Sequence, residues 1–326
     1  EMEAKFQVQP PGSASALLQS FSGLQQVARC DIFVGHENDV GKTRWGRVFG
    51  GQVLAQALVA AQRTVPAEYT VHALHGFFIL AGESGVEILY EVQRVRDGRS
   101  FITRMVTARQ RNAVIFELSA SFHRHEWGPE FEEPRPFLMA VVKARGFVGD
   151  SLPTPLELIE SGKKLEPANG ADNHGDCDSI LIDRGDWWSL RYFRHRRRLP
   201  EDTPQTLHQA IFAWMTDSNM AGIVCLPHVV QHQRTFDMLF SIDHSIHFHR
   251  EFRVDEWMLF YSLTTVSAGA RGLARLEVFN KGGHLVATVT QEALVRVPKK
   301  VAAEETAKQL LERGGARESA APRAKL

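Results

Sequence analysis

The sequence predicts an α+β fold made of two tandem units, each with a helix laid against an antiparallel sheet. The order strand, helix and then strands ending in a hairpin occurs twice, about 170 residues apart. The strand-like runs alternate apolar and polar residues, whereas each helix carries its apolar residues at helical spacing. Residue identity between the halves is low, so the predicted duplication rests on the order of the elements.

In the first half, one strand precedes a helix at 50–65, where small residues allow close packing. The run at 99–124 is long enough to fold as a hairpin at Gln110-Arg111-Asn112. The predicted strands are 28–37, 71–80, 85–98 and the two arms of 99–124.

Residues 125–180 are rich in Pro, Glu, Gly and Asp, which predicts a connecting segment with one short helix. In the second half, a helix at 203–220 can be capped by Thr203 and can start at Pro204. The strands of this half are predicted at 186–198, 238–252, 256–269 and 270–297, with a hairpin turn at 280–283 and a surface helix in the tail at 301–315.

These elements divide the chain into five parts. They are an N-terminal segment (1–24), a first unit (25–125), a connector (126–185), a second unit (186–298) and a tail (299–326).

Composition excludes several classes of function. Lys+Arg and Asp+Glu both number 38, so no global charge attracts nucleic acid. Cys30, Cys177 and Cys225 are few and widely spaced, which favours a reducing compartment over a disulfide framework. No apolar run approaches the roughly 18 residues of a membrane span.

A polar side chain interrupts the apolar face of the last strand. Burying an amide without a partner costs roughly 1–3 kcal/mol. Gln291 therefore either bonds to the backbone or belongs to a site, and the strand alone favours the backbone bond. Alternation places on this face Leu285, Ala287, Val289, Gln291, Ala293 and Val295.

Asp217 lies on the side of the second helix that carries Ala210 and Trp214. A carboxylate beside such residues is costly unless it is hydrogen-bonded or functional. The simpler interpretation is that residues 217–219 mark a polar C-terminal end of the helix.

In the strand at 238–252, alternation places Ser241 on a polar face with His247 and His249, and His244 on the opposite, apolar face. Ser241 lacks a GxSxG elbow, so it is interpreted as a residue that could orient a water. The two histidines lack the further ligands of a zinc site, so no metal is predicted. Gly50 and Gly51 lack P-loop spacing, but a helix that starts there can receive an anion or oxyanion.

Eight segments together resemble the type II acyl-CoA thioesterases, which include bacterial thioesterase II and peroxisomal acyl-CoA thioesterases. The resemblance covers roughly residues 25–125 and 186–297. The segments are RVFGGQVLAQALVAA, VHALHGFF, RDGRSFITRMVTARQ, ELSASFHR, FAWMTDSNM, SIDHSIHFHREF, SAGARGLARLEVF and GHLVATVTQEALVR. The resemblance implies a double hotdog fold, in which each of two antiparallel sheets wraps a long helix.

The family hydrolyses acyl-CoA with an Asp, a Ser or Thr, and a Gln. By motif, these residues are Asp217, Ser241 and Gln291. The first half carries Val71 and Ser121 at the corresponding offset, so the resemblance implies one active site per chain. The implied reaction needs no metal or organic cofactor.

The resemblance also suggests residues that bind the substrate. The helix start at Gly50 and Gly51 could meet the oxyanion, and His72 and His75 are expected near the acyl channel or, more simply, in the core. The phosphates of coenzyme A require basic residues, and the sequence does not choose among Arg44, Arg47, Arg104 and Arg271.

Two alternatives stay open from the residues. A hotdog-fold enoyl-CoA hydratase would share the start of Asp217-Ser218-Asn219 but has a His where this chain has Gly222. A non-catalytic acyl-CoA-binding protein would bind the same ligand without releasing a thiol.

The final tripeptide, Ala324-Lys325-Leu326, is close to the serine-lysine-leucine signal for peroxisomes. It predicts a peroxisomal import receptor as a partner and the peroxisomal matrix as the location, with the cytoplasm as the alternative. Hotdog sheets often associate, so a homo-oligomer is also expected.

Overall fold

The computed structural model describes residues 16–27, 30–35, 46–135, 166–167, 176–232 and 236–298. Within these residues, three helices pack against a sheet of fourteen strands. The helices are α1 (Ala16–Ser22), α2 (Gly50–Gln62) and α3 (Gln205–His232). The predicted helix at 301–315 and the tripeptide at 324–326 lie outside the described residues.

The first unit wraps its strands around α2 in the order β1-β2-β4-β5-β6-β3. Its hairpin turns at Arg111 and Asn112, whose positive φ angles of 46° and 68° suit the tight turn between twisted strands, as predicted. The strands are β1 (Gln25–Gln26), β2 (Ile32–Gly35), β3 (Tyr69–Phe78), β4 (Ile88–Asp97), β5 (Phe101–Gln110) and β6 (Ala113–Arg124).

The second unit continues the sheet in the order β11-β14-β13-β12-β9-β8-β7, with β10 also paired to β14. Its strands are β7 (Glu166–Pro167), β8 (Cys177–Arg184), β9 (Trp188–His195), β10 (Met238–Ser241), β11 (Asp243–Phe248), β12 (Met258–Ala268), β13 (Arg271–Phe279) and β14 (Leu285–Arg296).

The two units meet where β3 pairs antiparallel with β11, with His75 opposite Ser245. On either side of this junction the order is the same, since β6-β5-β4-β2 mirrors β14-β13-β12-β9. The helices run antiparallel along each other, because Gln62 donates to the Thr206 carbonyl while Gly51 lies against Trp214 at the other end. This is the double hotdog that the resemblance implied.

The helices provide the centre of the core. In α2, the alanines 55, 57, 60 and 61 are fully buried, and Gly51 allows an approach so close that an added Cβ would lie 2.8 Å from the Trp214 carbonyl oxygen. Small residues on α2 thus let the two helices pack with little space between them. The Trp214 ring is buried edge-on against Phe49.

Two expectations about the elements were wrong. Helix α3 does not end near residue 220 but continues to His232, so Asp217 lies in its middle. The helix also continues past Pro227, because the Ile223 carbonyl, which a proline four residues later cannot bond, accepts a hydrogen bond from Thr264 at 2.6 Å. In addition, strand β8 lies within the stretch predicted as a connector.

Candidate active site

Asp217 lies in the middle of α3 and not at the end of a helix. Its neighbours do not break the helix. The Ser218 hydroxyl bonds to the Met215 carbonyl one turn earlier, and Thr216 Oγ1 lies within hydrogen-bonding distance of both the Ala213 carbonyl and His244 Nε2. Only 7% of Asp217 is exposed. The interpretation of residues 217–219 as a polar helix end is therefore corrected.

Gln291 and Ser241 both reach this carboxylate. The Gln291 amide donates to Asp217 Oδ1 at 3.2 Å and to Ser241 Oγ at 2.5 Å, so both of its N–H bonds are used. The Ser241 hydroxyl donates to the same Oδ1 at 3.2 Å. Gln291 is fully buried on the apolar face of β14, as alternation predicts, but its partners are side chains and not backbone.

A break in the strand between β10 and β11 brings Ser241 to this site. Ser241 pairs with Ala293, whereas Ser245 pairs with Thr290, so the register shifts by one residue at Ile242. Such a bulge reverses which face the side chains occupy. Ser241 therefore shares the inner face with His244, and their expected placement on opposite faces is corrected.

The N-terminus of α2 closes the site from the other side. The Gly51 N–H bonds to the Asp217 carboxylate. At Gly50, an added Cβ would lie 2.9 Å from Asp217 Oδ2 and 2.8 Å from the Phe78 ring. The carboxylate thus approaches the helix start so closely that only glycine fits without displacement.

Opposing effects act on the pKa of Asp217. Burial raises the pKa of the carboxyl above its ordinary value of 3.8, and this is the largest effect. The nearby His244 and the hydrogen bonds from Ser241, Gly51 and Gln291 lower it in part. A carboxylate with a raised pKa is a better proton acceptor than an exposed one.

His244 is a member of this cluster that the sequence interpretation missed. It is fully buried, with Nδ1 at 2.7 Å from Gln291 Oε1 and Nε2 at 3.0 Å from Thr216 Oγ1. Burial lowers its pKa, so the ring is neutral near pH 7. The sequence did contain an indication that His244 is buried in a site, since alternation already put this polar residue on the apolar face of its strand.

The other residues expected to bind substrate lie apart from these contacts. His72 bonds to Ser121 at 2.8 Å and His75 to Asp243 at 3.0 Å. Both histidines are partly exposed on the outer face of β3, so the expectation that they belong to the core is wrong. Arg271 is half-exposed and forms an ion pair with Glu292, the neighbour of Gln291.

Of the four basic residues considered for the phosphates of coenzyme A, the structure describes Arg47, Arg104 and Arg271. Arg104 is fully buried and bonds to Asp97 and Thr64, so it cannot line an entrance. Arg47 lies over the ring of Phe240, 5.2 Å from its centre and beside Ser241 in sequence. Arg44 lies outside the described residues. Arg47 and Arg271 are therefore the placed candidates near the site.

The described part of the chain contains no group of three or more His, Cys, Asp or Glu side chains arranged to hold a metal ion. Nor does it contain a helix both long and apolar enough to cross a membrane. The cluster at Asp217 offers a buried base, a hydroxyl, an amide and a helix N-terminus, which suits hydrolysis of an activated acyl group.

Fold and site together define a hotdog-class thioester hydrolase. Residues 41–123 match the family described as "Acyl-CoA thioesterase N-terminal domain", and residues 184–294 match "Acyl-CoA thioesterase". The chain belongs to the acyl-CoA thioesterase family, and it is an acyl-CoA hydrolase.

Individual relatives agree with this assignment. Human acyl-coenzyme A thioesterase 8 is 30% identical over 90% of this chain and 93% of its own length. The crystal structure of acyl-CoA thioesterase II TesB2 from Mycobacterium marinum matches with a TM-score of 0.69 and 30% identity, covering 87% of this chain and all of that one. The peroxisomal acyl-coenzyme A thioester hydrolase 1 of Saccharomyces cerevisiae is 41% identical, but over only 21% of this chain and 20% of its own length.

Proposed function

We propose that Asp217, Ser241 and Gln291 hold and activate the water that hydrolyses acyl-CoA to a free fatty acid and coenzyme A. The observation that carries the proposal is that these three side chains, from α3, β10 and β14, hydrogen-bond to one another around a buried carboxylate. A buried carboxylate with a raised pKa is costly for stability, and this cost is understandable if the carboxylate is the base.

In this mechanism, Asp217 accepts a proton as the water oxygen attacks the thioester carbonyl carbon. Ser241 and Gln291 fix the water in position, which removes part of the entropic cost of the attack. The carbonyl electron pair moves to its oxygen, and its return breaks the C–S bond and expels the coenzyme A thiolate. The thiolate then takes the proton that Asp217 had accepted.

The oxyanion needs a separate source of stabilisation. The start of α2 supplies the partial positive charge of a helix N-terminus next to Asp217. Since the Gly51 N–H is already bonded to that carboxylate, its first role is to hold the base. Since the Gln52 and Val53 N–H groups bond to the Phe49 carbonyl, the oxyanion is assigned to the Gly50 N–H.

The phosphates of coenzyme A are assigned to Arg47 and Arg271, which contact Phe240 and Glu292, the sequence neighbours of Ser241 and Gln291. Arg271→Gln should raise KM for acyl-CoA by a few-fold and leave kcat unchanged, because an exposed charge contributes mainly to ground-state binding. Steady-state kinetics at low salt measure both constants. An unchanged KM removes Arg271 from the proposal.

One assay separates hydrolysis from its alternatives. Purified protein is given saturated and 2-enoyl acyl-CoA of several chain lengths, and free coenzyme A is followed with a thiol reagent. Hydrolysis releases the thiol, hydration of the enoyl substrate changes its absorbance without releasing thiol, and a binding protein does neither. The same assay gives the chain-length preference.

Delivery to peroxisomes is a further part of the proposal. It is supported by Ala324-Lys325-Leu326 and by the short match to a relative whose name is peroxisomal. A fluorescent fusion that keeps the C-terminus free should show punctate fluorescence coinciding with a peroxisomal marker. Deletion of Leu326 should disperse it, and unchanged puncta would contradict a role for the tripeptide and its import receptor.

The homo-oligomer stays a prediction. Apolar side chains at the end of β3 and beyond, including Phe77, Ile79 and Leu80, are 46–57% exposed and could support self-association. Light scattering during size-exclusion chromatography gives the mass directly. A mass of 36.6 kDa at all concentrations would contradict association.

A further inference from the structure

His244 lies behind the proposed catalytic residues and touches only one of them. Its Nδ1 contacts the oxygen of the Gln291 amide at 2.7 Å, and its Nε2 contacts the Thr216 hydroxyl at 3.0 Å. The ring is fully buried and forms no hydrogen bond to Asp217 or Ser241. Apart from the electrostatic effect of its charged form on Asp217, any effect of His244 on the reaction would therefore pass through Gln291.

The hydrogen bonds determine which nitrogen carries the proton. A carboxamide oxygen can only accept, so Nδ1 must be the donor to Gln291 Oε1. In a neutral imidazole the other nitrogen then lacks a hydrogen and accepts. Nε2 is therefore paired with the Thr216 O–H, which has the Ala213 carbonyl as its other acceptor in reach.

This tautomer fixes the orientation of the Gln291 amide. With Oε1 held by the Nδ1–H, both N–H bonds of the amide point towards Asp217 Oδ1 and Ser241 Oγ. A flipped amide would put its oxygen against the Asp217 carboxylate and its N–H bonds against the Nδ1–H. Both new contacts would be repulsive in a site without water to compensate them.

The first unit carries neither member of this pair. Strand register places Leu74 opposite Ala120 in the first unit, at the positions that His244 and Gln291 occupy in the second. Both are buried apolar residues. The histidine is therefore present in the unit that has an amide to orient, and absent in the unit that does not.

We propose that His244 is a positioning residue that orients the Gln291 amide and, through it, the Ser241 hydroxyl and the attacking water. The proposal rests on the function proposed above for Gln291. It assigns to His244 an effect on kcat and none on the binding of acyl-CoA.

Two amides provide a matched test. His244→Asn places an N–H near the Nδ1 position, whereas His244→Gln places its polar group near the Nε2 position. His244→Leu, which matches the residue of the first unit, loses both. The expected kcat falls by about 100-fold in the Leu and Gln variants, while the Asn variant recovers at least about tenfold of that loss. KM should stay within a few-fold of the unmodified protein.

A second set of variants separates positioning from a general structural role. In a Gln291→Ala background, His244→Leu should cause no further loss of kcat, because the group on which it acts is gone. An equal loss in both backgrounds, or equal activity of the Asn and Gln variants, would overturn the proposal. Circular dichroism and thermal unfolding identify variants that do not fold.

The unmodified protein provides a test that needs no variant. Long-range ¹H–¹⁵N spectra should show His244 as the neutral Nδ1–H tautomer, and an Nε2–H tautomer would overturn the proposal. The two proposals fail separately. Full turnover by folded Gln291→Ala contradicts the proposed function, whereas loss in that variant with unmodified kcat in His244→Leu contradicts only the role of His244.

Discussion

The two units share a fold but carry different kinds of residue at three equivalent positions on the face of the sheet that covers the helices. In the second unit, these positions hold Ser241, His244 and Gln291. Strand register puts at the corresponding positions of the first unit Val71, Leu74 and Ala120. Even the bulge is repeated, since the register also shifts between Val71 and Ala73.

This comparison shows that the fold does not require the polar residues. All three residues of the first unit are nearly fully buried and apolar, and its sheet wraps its helix just as well. The second unit buries an amide, an imidazole and, from α3, a carboxylate in the equivalent space. The comparison also corrects one expectation, because Ala120 rather than Ser121 is the counterpart of Gln291.

The largest expected effect comes from removing the carboxylate of Asp217, since the helix of the first unit carries no charged residue. Asp217→Asn should lower kcat by roughly 10³-fold or more, because the base is lost while the shape is kept. A carboxyl whose folded pKa is raised costs stability as the pH rises above its unfolded value of 3.8. The variant should therefore be as stable as the unmodified protein at pH 7, or more so.

Release of coenzyme A and thermal unfolding at pH 7 test both parts. Near-normal turnover by the folded Asn variant would rule out Asp217 as the base. A lower melting temperature would show that the charged form is stabilised rather than strained.

The next effect comes from making the second unit resemble the first. Gln291→Ala should lower kcat by about 100-fold with little change in KM, since positioning of the water is lost. The reverse change, Ala120→Gln, is the control. It should leave kcat unchanged but reduce the free energy of unfolding by roughly 1–3 kcal/mol, because the amide would have no built partners beside Leu74.

Kinetics and urea unfolding of both variants give the comparison. A change confined to KM in Gln291→Ala would indicate a role in ground-state binding. A loss of kcat in Ala120→Gln would mean that the first unit contributes to the reaction.

The pH dependence should reveal the buried carboxyl. Because the base acts only when ionised and burial raises its pKa, kcat/KM should fall about tenfold per pH unit below a pKa that is higher than 3.8. The profile is measured between pH 4 and 8 in buffers of constant ionic strength, with stability checked at each pH. If kcat/KM falls only at or below pH 3.8, the ordinary pKa of an Asp carboxyl, the result would contradict a base whose pKa is raised by burial.

The smallest expected effect concerns the helix start that holds the carboxylate. Gly50→Ala should lower kcat by roughly tenfold, since the added methyl displaces Asp217 or Phe78. Gly128→Ala, where an added Cβ meets nothing within 4 Å, is the matched control. Equal kinetics for both variants would show that the approach of Asp217 to α2 is not critical.

Sequence patterns predicted most of the strands and the α2 helix, because alternation and helical spacing reflect burial directly. They did not predict the full length of α3. Polar residues at 217–219 and a proline normally indicate a helix end. Here Asp217 bonds to side chains of β10 and β14, the Ser218 hydroxyl bonds back to the helix, and a strand distant in sequence bonds the carbonyl that the proline cannot. Such compensation depends on contacts that local sequence does not contain.

The sequence by itself determined the duplicated α+β architecture, the buried position of Gln291 and, through the family motifs, the candidate residues. Only the tertiary structure decided how these residues meet. The bulge at Ile242 turns Ser241 inward, the continuous α3 brings Asp217 into the core, and the pairing of β11 with β14 places His244 behind Gln291. The physical reason is that a strand or helix pattern specifies a face, whereas register and packing specify which residues share it.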